Sequence, residues 1–387
     1  MSVSRRTFVR ALGLGALAAS AIRGRAVSAH SGRSATFQPM NRRYDAGFIN
    51  LSSNTSPRGP SEAVLEELRS RISSGLARYP GNVGLLTEAI AEKEGTQPEN
   101  ILLGTGSGGE LAGAVHAFVT PGRPLVIGNP SYETPVRTAK NRSLPVKQVP
   151  VDGSQRLDLD AMGEAARGAG LLYLCNPNNP TAMAQSESAI ADLIEHVKET
   201  SVDTVILIDE AYLEFAKDPA VKTAAPLAAK YPGVIITRTF SKIYAIAGLR
   251  LGYAIGQPDT LEALRSAWGY GSVNVLSAAA GLAALGDTAR VEWEIAENHK
   301  VREFTLNAFK EIDYDATDSQ TNFVWVNVRR PSKEFREVCF ERGVLVGRDF
   351  PPMENSHSRI SLGSMDEMRQ AMAIFREVLV PSKTSGV

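Results

Sequence analysis

Cysteine and histidine, the residues that most often form cross-links and metal sites, are scarce in this chain of 387 residues. It has two cysteines and five histidines, and no two of the histidines stand at the spacing of a metal site. Cys175 and Cys339 both lie in apolar runs, which favours buried free thiols over a disulfide bond. We therefore expect neither a metal centre nor a disulfide framework.

An excess of charge of either sign is also absent. The chain has 42 basic and 42 acidic residues, so its formal net charge is +0. This balance argues against nucleic acid or an anionic membrane as a partner. The apolar fraction of 43% and the charged fraction of 22% are those of an ordinary globular protein. The length allows two sizeable cores, or one large domain with a smaller one.

No apolar run is long enough to be a permanent membrane anchor. Residues 11–22 form an apolar segment, but a helix needs about 20 such residues to cross a bilayer. Arg5 and Arg6 precede this segment, and Val27-Ser28-Ala29 offers a small-residue cleavage site. The layout resembles a twin-arginine signal, which directs the export of folded proteins. We expect residues 1–29 to be that signal and the protein to be periplasmic or otherwise exported; an arginine-rich leader without this role is the alternative.

The rest of the chain alternates between short apolar runs and helical patterns, of which residues 187–198 are one example. The apolar runs that are interpreted as strands are residues 101–103, 125–127, 146–149, 171–174, 205–208, 234–236 and 251–255. Near-continuous apolar strands that alternate with helices are typical of a sheet covered on both faces. The sequence therefore predicts an α/β fold with a mostly parallel, seven-stranded sheet.

The same pattern suggests the domain organisation. Residues 30–78 are predicted to form an N-terminal arm and a first helix with Ser61 as its N-cap. Residues 79–280 would form the large domain that contains the sheet. Residues 281–387, with a long charged helix, a strand, a helix and a final strand and helix, would form a smaller α+β domain.

Several chemically unusual residues follow the predicted strands, where α/β sheets collect their ligands. Gly104 to Glu110 is a glycine-rich turn before a helix, suited to binding a phosphate through backbone N–H groups. Its G-x-G-x-x-G spacing also fits a dinucleotide site, although no carboxylate ends the next strand. Tyr132 could stack on a planar ring or pack in the core. Asp209 ends a fully apolar strand, so its charge needs a partner such as a protonated ring nitrogen, an N-cap or a buried salt bridge.

Lys242 stands just beyond the predicted strand 234–236, where a solvated surface lysine is not expected. A partly desolvated amine can be neutral near pH 7 and form a Schiff base. Thr239, Ser241 and Arg250 around it offer two hydroxyl donors and a guanidinium fork for a phosphate. An ordinary loop lysine is the alternative.

Taken in chain order, these motifs resemble those of the fold type I aminotransferases, and among them the histidinol-phosphate aminotransferase subgroup. The motifs are Asn176-Pro177-Asn178-Asn179-Pro180-Thr181, Asp209-Glu210-Ala211-Tyr212, Ser241-Lys242, Ala247-Gly248-Leu249-Arg250-Leu251-Gly252-Tyr253 and Ser358-Arg359-Ile360-Ser361-Leu362-Gly363. The resemblance covers about residues 50–380 and is specific in its combination of motifs. It implies a transfer of an amino group between an amino acid or related amine and a 2-oxo acid, with pyridoxal 5′-phosphate as cofactor.

The resemblance also implies roles for individual residues. Lys242 would hold the cofactor through a Schiff base and shuttle a proton. Asp209 would pair with the ring nitrogen, Asn179 and Tyr212 would bind the phenolic oxygen, and Tyr132 would stack on the ring. The phosphate would lie in a cup formed by Gly106, Ser107, Gly108, Thr239, Ser241 and Arg250.

Other implied roles concern the substrate and a second subunit. Arg359 would bind the α-carboxylate of the substrate with its guanidinium fork. Tyr79 would reach the phosphate of a neighbouring subunit, which implies a homodimer with shared active sites. Asn54 lies in a segment that normally borders the substrate, and Arg348 lies near the place where family members bind a distal anionic group. Ala182 stands where the family usually has glycine.

Three alternatives remain open at this point. A decarboxylase or other lyase of the same fold would use the same cofactor cup. A nicotinamide-dependent oxidoreductase would use the glycine-rich turn but leaves Lys242, Asp209 and Asn179 without a role. An exported solute-binding protein would share a two-domain α/β form but has no need of a Schiff-base lysine.

Overall fold

The computed structural model describes residues 47–77, 79, 81, 83–268 and 273–380. The predicted signal at residues 1–29 and the first part of the arm lie outside these residues. The described residues belong to one compact unit that begins at Gly47. Within this part of the chain, no helix combines the length and the apolarity that crossing a membrane requires.

Helices and strands alternate through most of the described chain. The strands are β1 (Ile49–Leu51), β2 (Ile101–Gly104), β3 (Leu125–Asn129), β4 (Val146–Pro150), β5 (Leu171–Cys175), β6 (Val205–Asp209), β7 (Val234–Thr239), β8 (Gly252–Gly256), β9 (Phe323–Asn327), β10 (Val344–Val346) and β11 (His357–Ser361). The α-helices are α1 (Glu62–Ser74), α2 (Val83–Glu94), α3 (Ser107–Phe118), α4 (Thr134–Asn141), α5 (Leu159–Ala165), α6 (Glu187–Thr200), α7 (Ala225–Lys230), α8 (Pro258–Trp268), α9 (Val275–Gly286), α10 (Thr288–Glu311), α11 (Ser332–Glu341) and α12 (Met365–Leu379).

A central sheet of seven strands confirms the fold predicted from the sequence. Its strand order is β2-β8-β7-β6-β5-β3-β4, and all neighbours are parallel except those of β8, which runs antiparallel to β2 and β7. All seven predicted apolar runs lie in this sheet, with β8 shifted by one residue toward the C-terminus. Every residue of β5, β6 and β7 is buried, which explains why these strands are nearly continuous in apolar residues. Two apolar clusters, one on each face, pack the helices against the sheet.

Helix starts follow the polar residues that the sequence provides for them. Ser61 caps α1 by accepting a hydrogen bond from Val64 N, as predicted. Ser186 caps α6 in the same way, and Ser364 forms a capping box with Glu367 at the start of α12. Each cap satisfies helix N–H groups that would otherwise lack a partner.

A second apolar core lies in the C-terminal part of the chain. It gathers the aromatic side chains of Phe309, Phe335 and Phe375 with residues from β9, β10 and β11. Strand β1 of the N-terminal arm joins this core, because it pairs in parallel with β10 and contributes Leu51. The predicted boundary after residue 280 falls inside α9, and the division into domains at 78 and 280 stays a prediction. Cys175 and Cys339 are both buried, as expected from their apolar surroundings.

Candidate active site

A cleft opens at the carboxyl ends of the parallel strands, where the sequence predicts a site. The cavity has a volume of about 610 Å³. It is lined by Ser52, Ser53, Asn54, Thr55, Ser107, Gly108, Tyr132, Glu133, Asn179, Asp209, Ala211, Tyr212, Thr239, Ser241, Lys242, Ala247, Arg250, Arg336, Val346, Arg348 and Arg359. The structure thus brings together almost every residue that the sequence nominates, although they are spread over some 300 positions of the chain.

Lys242 projects into this cleft from the segment after β7. Its Nζ lies 3.3 Å from the carbonyl oxygen of Ser53, and 5.5 Å from the centre of the Tyr212 ring. Desolvation, together with the nearby cation of Arg359, lowers the pKa of Lys242 to about 7, although the Asp209 carboxylate acts in the opposite direction. A substantial fraction of the amine is therefore neutral at physiological pH, which is the form that attacks a carbonyl carbon.

Asp209 ends β6 at the base of the same cleft and is only 2% exposed. Tyr173 OH donates to its Oδ2 and Thr237 Oγ1 donates to its Oδ1, each at 3.2 Å. Burial raises the pKa of Asp209 to about 6, while the hydrogen bonds from Thr237 and Tyr173 and the charge of Lys242 oppose this rise. A cationic N–H group in the cleft would add the charge partner that this buried carboxylate needs.

Tyr212 is buried beside Asp209, and two asparagine amides point at its hydroxyl group. Asn54 Nδ2 donates to Tyr212 OH at 3.1 Å, and Asn179 Nδ2 donates to it at 3.4 Å. Burial raises the pKa of Tyr212 above its ordinary value, so the phenol stays protonated. Because its oxygen already accepts these amide hydrogens, its own proton is available to an acceptor in the cleft.

The glycine-rich turn forms the end of the cleft that suits a phosphate. Gly106 is the N-cap of α3 with a φ of +85°, so Ser107 and Gly108 stand in the first turn of the helix. A side chain at position 106 would place Cβ only 2.5 Å from Arg250 Nη2, so glycine lets the arginine approach the helix N-terminus. Arg250 Nη1 lies 3.5 Å from Ser241 Oγ. Helix N–H groups, a hydroxyl and a guanidinium therefore converge on one point, which is the donor set of an anion site.

Arg359 lies on β11, and its guanidinium is held by hydrogen bonds to neutral amide and carbonyl oxygens. Its Nη1 donates to Asn179 Oδ1 at 2.9 Å, and its Nη2 donates to the carbonyl oxygen of Ser52 at 2.6 Å. Its Nε is buried and has no hydrogen-bond partner among the described residues. No salt bridge to a carboxylate is formed by Arg359 in the described part of the chain. Burial lowers the pKa of Arg359 to about 10. The side chain is therefore still a cation at neutral pH, and a bound anion could pair with it.

The partly exposed rim of the cleft contains two arginines that already have carboxylate partners. Arg348 forms an ion pair with Glu133, and Arg336 Nη1 lies 2.5 Å from Asp349 Oδ1. Arg348 was predicted from the sequence, whereas Arg336 and Glu133 were not. Glu133 could have been found, because it directly follows Tyr132 at a strand end. Arg336 gives no such signal, since it lies on a helix far along the chain.

Asn54 lines the cleft, and its predicted contact with the substrate stays a prediction. Its backbone has a left-handed φ of +53°, and its N–H and side-chain Oδ1 bond to Ser361 Oγ at 2.8 and 2.7 Å. Together with its bond to Tyr212, these contacts fix the arm across the cleft. The residue lines the cavity, but its side chain is already used in holding Tyr212.

Tyr79 is the one nominated residue that the structure places away from the cleft. It is 99% exposed and lines a separate, open cavity of about 970 Å³ with residues such as Leu103 and Arg265. Its predicted role in a neighbouring subunit stays a prediction. Ala182, which replaces the usual glycine, has a left-handed φ of +61°, a conformation that costs an alanine about 1 kcal/mol.

Comparison with known proteins identifies relatives of this chain. Residues 46–375 match the family described as aminotransferase class I and II. A histidinol-phosphate aminotransferase of Symbiobacterium thermophilum is 34% identical over 334 residues, which cover 86% of this chain and 91% of that protein. An aromatic amino acid aminotransferase of Thermobifida fusca is 31% identical over 335 residues, which cover 86% of this chain and 90% of that protein.

The fold is also similar to that of solved structures. The crystal structure of histidinol-phosphate aminotransferase from Sinorhizobium meliloti, in complex with pyridoxal 5′-phosphate, has a TM-score of 0.78 and 26% sequence identity. The similarity covers 91% of this chain and 100% of that one. The relatives share a fold and a family, but their names give different substrates.

The low pKa of Lys242 predicts how the cofactor-free protein captures an aldehyde such as pyridoxal phosphate. Because the neutral amine is the reactive form, the second-order rate of capture should rise about tenfold per pH unit below pH 7 and flatten above about pH 7. Stopped-flow absorbance of the product measures this profile, with Lys242→Arg as the unreactive control. A rate that keeps rising to about pH 10, as for an ordinary lysine, would contradict the prediction.

Proposed function

This chain belongs to the class I and II aminotransferases, and we propose that its amino donor is an α-amino acid whose carboxylate binds Arg359. The enzyme is a transaminase that depends on pyridoxal 5′-phosphate, as the sequence predicts. Membership of this family favours amino-group transfer over the lyase, nicotinamide and solute-binding alternatives.

The residues of the cleft fit the cofactor at each of its polar groups. The N-terminus of α3 with Ser241 and Arg250 suits the phosphate, and the buried carboxylate of Asp209 suits a protonated ring nitrogen. Tyr212 offers a proton to the phenolic oxygen. The amine of Lys242 is in its reactive form near pH 7. When bound, the cofactor supplies an electron-deficient ring that accepts the electron pair left on the substrate Cα.

The protein supplies binding, orientation and proton transfer. The ionised carboxylate of Asp209 stabilises positive charge at the ring nitrogen, since Tyr173 and Thr237 hold it in place. Lys242 Nζ would be the base that removes the proton from the substrate Cα and, once protonated, the acid that gives it back, because its pKa of about 7 suits both directions. Tyr212 and Asn179, which are hydrogen-bonded to each other, would hold the phenolic oxygen of the cofactor and so help to orient it.

The observation that supports an α-amino acid is the buried cation of Arg359. A buried arginine without a carboxylate partner is costly unless a ligand completes it. Its remaining N–H groups can donate to the two oxygens of a carboxylate, and Asn179 links the arginine to Tyr212 through hydrogen bonds. This geometry favours donors with an α-carboxylate over amines that lack one.

Replacement of this arginine gives a direct test. Arg359→Lys keeps the charge but loses the fork, so kcat/KM for amino acids should fall about 10- to 100-fold with 2-oxoglutarate as acceptor. An amine with no anionic group next to Cα, such as phenethylamine, should be affected less than threefold, about 0.6 kcal/mol. Arg167→Lys, at a surface ion pair with Glu164, controls for the exchange itself. Equal losses for both kinds of donor would argue against the proposed role.

We also propose that the enzyme is a homodimer with shared active sites. The support is the exposure of large apolar side chains in the part of the chain around Tyr79, where Ile72, Leu76 and Leu85 are each more than half exposed. Exposed apolar groups of this size are typical of a surface that another protein covers. A second copy seated there could deliver Tyr79 to the phosphate end of its partner's cleft.

The dimer is tested by mass and by cofactor affinity. Sedimentation should give twice the chain mass of 41.6 kDa, reduced by the signal where it is cleaved. Tyr79→Phe should weaken cofactor binding about tenfold through loss of one hydrogen bond to phosphate, measured by cofactor fluorescence. Tyr231→Phe, a surface tyrosine bonded to Glu195, is the matched control. A monomer with unchanged cofactor affinity would refute the shared site.

Export through a twin-arginine signal is proposed for residues 1–29. Arg5→Lys with Arg6→Lys keeps the charge of the leader but removes the paired arginines, so the protein should accumulate in the cytoplasm. N-terminal sequencing of the periplasmic fraction should show cleavage after Ala29 in the unchanged protein. Equal periplasmic amounts of both proteins would show that the arginine pair does not direct export.

A further inference from the structure

The charges that line the cleft divide into two groups. Arg250 and Arg359 form no salt bridge with a carboxylate among the described residues, and they face the sites suited to the phosphate and the α-carboxylate. Arg336 and Arg348 at the partly exposed rim of the cleft are each matched by a carboxylate, Asp349 and Glu133. The cleft therefore provides unpaired cations for two anionic groups and a rim without net charge for the rest of the substrate.

We propose that Glu133 is a specificity-determining residue that neutralises Arg348 and so selects donors with an uncharged side chain over donors with a distal anionic group. The inference rests on the proposed function, because it takes the α-carboxylate to lie at Arg359. A second carboxylate or a phosphate at the rim would meet an arginine that already has a partner, and would face the charge of Glu133 itself.

The side chain of Glu133 pairs with Arg348 and does not cap the helix that begins beside it. The residue is the N-cap of α4, where a carboxylate commonly accepts a hydrogen bond from the helix, yet its side chain makes no capping bond. The side chain instead reaches Arg348, 215 positions away in the chain. Because Glu133 follows Tyr132 directly, it stands beside the ring expected to stack on the cofactor, where the side chain of a substrate must pass.

Arg348 is held in place from its own side as well. Its guanidinium carbon lies 4.0 Å from the centre of the Phe350 ring, and its Nη1 donates to the carbonyl oxygen of Asp349 at 2.9 Å. The arginine is therefore already ordered and paired before any donor arrives. An anionic group on the side chain of a donor can therefore bind Arg348 only by displacing Glu133.

The size of the effect follows from the exposure of the pair. The side chains of Arg348 and Glu133 are 46% and 38% exposed, so water and salt weaken their attraction. Displacing Glu133 is thus possible, and the selection should be several-fold rather than absolute. Removing the carboxylate both frees Arg348 and ends the repulsion of an incoming anion.

Glu133→Gln tests the proposed selection, because glutamine removes the charge and has nearly the same shape as glutamate. With one 2-oxo acid as acceptor, kcat/KM for glutamate and for aspartate should rise about five- to tenfold, while the values for phenylalanine and leucine should change less than twofold. The gain should shrink as salt is raised. Glu164→Gln, which removes a carboxylate from a surface ion pair with Arg167, should leave all four donors unchanged.

A second variant tests whether the rise in kcat/KM for anionic donors depends on Arg348. Glu133→Gln combined with Arg348→Gln should lose the improvement for anionic donors, and the cofactor absorbance spectrum shows that the site is still assembled. If Glu133→Gln leaves the order of donors unchanged, or improves neutral donors equally, the proposal is wrong. Failure of the α-carboxylate assignment is separate, since it would appear as tolerance of Arg359→Lys with the charge selection of Glu133 intact.

Discussion

Desolvation at the carboxyl edge of the parallel strands is the constraint on which the site depends. The strands β6 and β7 end at the same edge, so Asp209, which is 2% exposed, and Lys242, three residues beyond β7, line the same cleft. Burial moves the pKa of the acid up to about 6 and that of the amine down to about 7. Both groups can therefore change protonation near neutrality, which an exposed acid or lysine would not do.

Most of the central sheet could be predicted because strands such as β5 and β6 are buried throughout, which leaves short runs of apolar residues between helical patterns. The residues at the strand ends were predictable for a related reason. Asn179, Asp209 and Lys242 each follow a strand in the same part of the sheet, so parallel pairing alone brings them to one edge. The chemistry of each residue then indicated the group that it could bind.

Contacts made across the chain could not be predicted in this way. Tyr173 is buried within β5, and nothing in its neighbours indicates that its hydroxyl meets Asp209. Arg336 reaches the cleft only because α11 packs beside β10 in the second core. The limits of the domains were obscured for a similar reason, since β1 crosses from the arm to pair with β10. Such contacts depend on tertiary packing, which has no local pattern in the sequence.

The bond between Asn54 and Ser361 has a consequence for synthesis of the protein. The two residues are 307 positions apart, and their contact fixes the segment that holds Tyr212 and approaches Lys242. The central sheet can form on a ribosome as its strands emerge, but this cleft cannot close until the strand that carries Ser361 has been released. The order of translation therefore makes assembly of the active site one of the last events in folding, after nearly the whole chain has been made.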